Sequence, residues 1–183
     1  MKIKQFVLLF IVFVLSQSCD YFSNPNDKMV KVLEARKMMY NVKENVFAEK
    51  KEVAYYDSII NSSEEGFYKI YNELNKGNAL LKLGKEAEAV ATIESVIKRK
   101  KEMDGKDSPE SLKFLAIAYM RLGEKQNCVN YHNPESCIMP IQKNGIHTIR
   151  EGSQKAIEIY EKLMTINPED YESRWLLNIA YMT

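Results

Sequence analysis

Two of the chain's three cysteines and both of its histidines fall within one stretch, CVNYHNPESCIMPIQKNGIH, from Cys128 to His147. Three chemistries suit such a cluster. A Cys128–Cys137 disulfide would close a short loop and contribute about 2–3 kcal/mol by chain entropy. Cys128, His132, Cys137 and His147 together offer two thiolates and two imidazoles, a donor set that suits tetrahedral zinc. Their spacing, C-x3-H-x4-C-x9-H, follows none of the common structural zinc patterns. In the third reading the thiols are small buried hydrophobes and the imidazoles cap or pack the loop. The disulfide and the four-ligand metal site exclude each other, and no residue pattern points to any other cofactor.

Catalytic patterns are absent. There is no glycine-rich phosphate loop, no nucleophile elbow and no H-E-x-x-H. Cys128 and His132 can be drawn as nucleophile and base, but nothing local orients them. The carboxylate pairs Glu64-Glu65 and Glu86/Glu88 are expected at helix starts or on solvated faces. The chain therefore reads as a non-enzyme. A formal charge of +1 over 183 residues, with Lys far outnumbering Arg, gives no footprint for nucleic acid. The one basic run, Lys98-Arg99-Lys100-Lys101, is expected near a helix C-terminus, where cations favour the dipole.

The elements that must position these residues begin after an address. MKIKQFVLLFIVFVLSQSC has a basic start at Lys2 and Lys4, an apolar core from Phe6 to Leu15 and a small polar end. That is a secretory signal, too short in its apolar part to span a bilayer. With Cys19 directly after Ser18 it resembles a bacterial lipoprotein signal, although Ser16 stands where Leu is usual. The resemblance implies a lipidated Cys19, a polar tether over 19–27, and anchoring in the cell envelope on the periplasmic or surface side of a membrane. Removing residues 1–18 takes Lys2 and Lys4 from the 26 cations and leaves 24 against 25 anions. Outside the cytoplasm a disulfide can persist.

Past the tether, scarce Gly and Pro and a three-four rhythm predict helices, with no strand-like alternation. Met29, Val32, Leu33, Arg36 and Tyr40 mark one, and Val53, Tyr56, Ile59 and Ile60 the next, over 28–62. Ser62-Ser63-Glu64-Glu65 reads as the start of another. Gly77, Leu80, Gly84 and Ala89 then form a pattern echoed by Ala116, Tyr119 and Gly123, and again by Asn178 and Tyr181. These offsets resemble the tetratricopeptide repeat, in which a small residue lets two antiparallel helices approach, a large one fills the gap and a glycine turns the chain. Ala156, Tyr160, Leu163 and Pro168 match the second helix of the middle unit. The spacing leaves a 28-residue insertion at about 124–151.

The fold expected over 63–183 is thus an all-α solenoid of tetratricopeptide-like hairpins with one loop insertion. Its last hairpin is truncated, leaving Trp175, Leu176, Ile179 and Met182 without cover. A truncated gene product is one expectation; a last helix that packs back on the core is the other.

From the middle of the chain onward, SCIMPI, GIH and SRWLLNIAYMT resemble the helical N-terminal region of bacterial proteins related to cartilage acidic protein. In that family the helices precede an FG-GAP/VCBS propeller and an ASPIC/UnbV domain. The resemblance, from about Asn45 onward, implies architecture more than activity. By repeat position, Asn78, Lys82, Lys113, Ile117 and Arg121 should face a concave groove suited to an acidic or extended peptide. Leu74 and Ile117 stand where a two-carboxylate clamp would need polar residues. The expected function is a membrane-anchored protein–protein interaction or scaffold module. The alternatives are a stalk for a propeller and a metal-binding module built on the insertion.

Overall fold

The computed structural model describes residues 25–39, 49–129, 131 and 133–183. The chain divides into two compact units, Met1–Asn45 and Val46–Thr183. In the first, α1 spans Pro25–Met39. It starts inside the stretch expected to be tether, because Pro25 is pre-set for a first helical turn and Asp27 favours the N-terminal dipole. Met29, Val32 and Leu33 are exposed on it. Tyr40 lies outside the described residues.

The second unit is an array of helices: α2 (Glu49–Ser62), α3 (Phe67–Lys82), α4 (Glu86–Asp104), α5 (Pro109–Glu124), α6 (Glu151–Ile166) and α7 (Tyr171–Met182). Each packs on the next, and α3 also meets α5. No strand occurs among the described residues, so the all-α solenoid expected from periodicity is the fold.

Its core is one cluster running from Leu80 and Ile93 through Leu115, Ala116 and Tyr119 to Tyr160, Leu163 and Ala180. Small residues set the helix spacing. A Cβ on Gly77 would come within 2.6 Å of the Ile93 side chain, so α3 and α4 touch there without one. At the α3–α4 turn Gly84 takes φ 75°, while Lys85 N–H donates to Leu80 O and Gly84 N–H to Leu81 O. This is a Schellman closure.

Two readings of the sequence need correction. Ser62 and Ser63 do not start a helix. Their hydroxyls donate back to the carbonyls of Ser58 and Ile59 and so close α2, while α3 begins after Gly66 with no side-chain cap. The helical serine hydroxyl satisfies a nearby carbonyl as readily as it caps a following turn. Nor does Gly123 turn the chain. It lies inside α5, where its Cα is pressed against Gly152 of α6. A Cβ on Gly152 would meet Tyr119 O at 2.6 Å and Gly123 Cα at 2.9 Å. The insertion leaves α5 as a one-turn π-helix, Lys125–Val129, passes through 3-10 turns at Pro134–Cys137 and Lys143–Gly145, and re-enters at α6.

Candidate functional site

Two regions gather the residues singled out by chemistry. The first is the set of groove candidates carried by α3 and α5. On α3, Asn78 is half-buried, and Lys82 donates to both carboxylate oxygens of Glu52 on α2 at 3.1 and 3.2 Å. On α5, Lys113 holds Asp170 at 2.8 Å and Glu172 at 3.2 Å. Arg121 faces Glu124 at 3.5 Å, and Ile117 is half-buried against the core. The Asp170 carboxylate bonded to it raises the Lys113 ammonium pKa. In return Lys113, with the Ser173 N–H, holds Asp170 down to about 2. Asp170 also caps α7, accepting from Ser173 N at 3.1 Å and Ser173 Oγ at 2.8 Å. Tyr71 on α3 and Trp175 on α7 are 62% and 59% exposed.

The second region is the insertion. His147 is buried. Its Nε2 lies 3.7 Å from Cys128 Sγ and its Nδ1 3.3 Å from Ser153 Oγ. The Ser153 hydroxyl reaches Thr183 Oγ1 at 2.7 Å, and His147 N–H donates to Thr183 O at 3.0 Å. Burial lowers the imidazole pKa, against an opposite pull from Glu124. The side chains of Cys137 and His132 lie outside the described residues. So do Cys19 and the signal. Among the described residues no three metal-ligating side chains converge. The nearest neighbour orienting the His147 ring is a hydroxyl, not a carboxylate.

The ends of the insertion are fastened by a residue that the sequence did not flag. Asn127 donates through Nδ2 to Gly123 O and Ile149 O at 2.8 and 2.9 Å, and accepts from Ile149 N at 2.9 Å. Nearby, Lys125 holds the buried Glu86 of α4 at 2.6 Å. Burial is the largest single influence and raises that carboxyl, but the Lys125 hydrogen bond, a backbone N–H and the charges of Lys125 and Arg121 together outweigh it, and the net shift is downward. Glu86 stands at a helix start, as expected of its position, but it is buried rather than solvated. Partners 22 and 39 residues apart give no local signal. Gly152, at the first turn of α6, was the one readable clue.

Compared with known proteins, residues 74–103 match the family model of the tetratricopeptide repeat. The matched stretch runs from the middle of α3 to the end of α4. No curated protein and no solved structure matches the chain. The repeat and the all-α fold fit a protein–protein interaction module.

Proposed function

We propose that the chain is a non-catalytic, envelope-anchored scaffold that holds an extended peptide of a partner protein along α3, α5 and α7. The observation that carries this reading is the succession of paired helices in tetratricopeptide register, with the family match over 74–103. Helices in the odd positions of such an array face one side and present a concave surface. Anchoring through a lipidated Cys19 rests on the signal pattern and would place the groove close to a membrane. The resemblance to cartilage-acidic-protein-related proteins supports a scaffold role beside a propeller.

Photo-crosslinking residues placed at Asn78 and Ile117 test the groove. Discrete partner adducts from these two positions, and none from Glu158 on an outer helix, are expected. Equal labelling from all three would end the groove reading. For the anchor, Cys19→Ser should move the chain from the membrane to the soluble fraction.

One distance favours a second reading. Cys128 Sγ and His147 Nε2 stand 3.7 Å apart, close to the ~3.5 Å that separates two ligands of one tetrahedral zinc ion. Cys137 and His132 would have to complete the set. Metal analysis of the purified chain decides it: stoichiometric zinc, lost in His147→Ala, would favour a metal-binding insertion.

A further inference from the structure

We infer that the groove selects an uncharged, apolar extended peptide rather than an acidic one. The inference rests on reading α3, α5 and α7 as the peptide-binding face, and names the ligand that face takes.

The sequence alone offers three groove cations, which favours an acidic partner. The structure engages each of them internally. Lys82 is held by Glu52, Lys113 by both Asp170 and Glu172, and Arg121 by Glu124. Lys76, six residues before Lys82 on α3, is likewise held by Asp57 at 2.6 Å. A carboxylate ligand would have to displace one of these partners. At Lys113 the cost is doubled, because Asp170 also caps α7, and pulling it away uncovers the Ser173 N–H. A field already neutralised by its own carboxylates neither steers nor rewards an anion.

What remains available is apolar surface and an amide. Tyr71 on α3 and Trp175 on α7 are large and exposed, and Ile117 on α5 is half-buried. Among the described residues neither aromatic ring stacks on another ring. Asn78 makes no hydrogen bond among the described residues and is half-exposed, so its amide can bond a peptide backbone, which recognises an extended segment without regard to charge. Rigid aromatic anchors flanking a backbone-reading amide suit a peptide whose side chains are aromatic, aliphatic or proline.

The test pans a phage library of random decapeptides on the full chain in detergent, at about 0.05 M and about 0.5 M salt, where the screening length falls from roughly 14 to 4 Å. Apolar, uncharged sequences should dominate at both salts. They should shift the fluorescence of Trp175, the one tryptophan in the chain. Trp175→Ala or Tyr71→Ala should weaken binding about tenfold or more, and Glu102→Ala on α4 should leave it unchanged. Acid-rich sequences that vanish at high salt would overturn the inference while leaving the peptide-binding reading intact. No enrichment, or binding indifferent to both aromatic substitutions, would overturn both.

Discussion

Asp170 serves two elements at once, and its chemistry sets a pH dependence. Lys113 and the Ser173 N–H hold its carboxyl at about 2, against an ordinary 3.8. A carboxyl depressed by folding stabilises the protein above its unfolded pKa, and that contribution is lost as pH falls through the folded value. Asp170→Asn should therefore cost about 1 kcal/mol near neutral pH. In urea titrations the gap between wild type and variant should narrow as pH falls below about 4 and vanish only below about pH 2; a gap that stays constant from neutral pH down to about pH 2 would contradict this account. Tyr160 makes a contrasting case. Its ring is fully buried at the α5–α6 contact, and its hydroxyl has no protein partner among the described residues. A buried unpaired hydroxyl costs about 1–3 kcal/mol. Tyr160→Phe should leave the melting temperature unchanged or raise it, and a fall of several degrees would show that the hydroxyl is satisfied.

The insertion behaves as a built element rather than a slack loop. Asn127 ties its two ends, His147 seats it on α6 and on Thr183, and Gly145 lets it fold on itself. A Cβ at Gly145 would fall 2.4 Å from Glu135 O, a backbone atom that cannot swing aside. Gly145→Ala should cost about 1–3 kcal/mol by overpacking. Asn127→Ala leaves Ile149 without its side-chain partners, a loss of about 1–3 kcal/mol for the stranded backbone groups. Hydrogen exchange should rise across 125–150 in both variants and stay unchanged across α3 and α4. Uniform acceleration over the whole unit would mean that the insertion is integral to the repeat core. At the same junction, Gly152→Ala should separate α5 from α6, because the clash is with Tyr119 O and the Gly123 backbone.

Across the second unit, stability is the sum of neighbour contacts, as in any linear array. Ile93 sits where α4 meets Gly77 of α3 and is fully buried within the cluster that continues into α5 and α6. Ile93→Ala should remove about 2–5 kcal/mol. If the one cluster couples all the helices from α3 to α7, the variant should keep a single urea transition with an unchanged slope. A second transition would show that the C-terminal helices fold apart from α3 and α4.

The sequence by itself determined the helical class and the tetratricopeptide-like repeat over 74–103. These follow from periodic apolar positions and from small residues at fixed offsets, which are local properties of the chain. The fate of its charged and polar side chains was decided only by tertiary structure. Lys113 reaches Asp170, Lys125 reaches Glu86 and Asn127 reaches Ile149 across distances in sequence that no period encodes. Gly84 and Gly123 share one offset, yet only Gly84 turns the chain. The second hairpin carries an insertion at that point, so α5 runs on past Gly123 and uses it for contact with Gly152. A repeat pattern fixes which backbones approach; whether a cation on that backbone is offered to a ligand depends on which carboxylate the packing brings within reach.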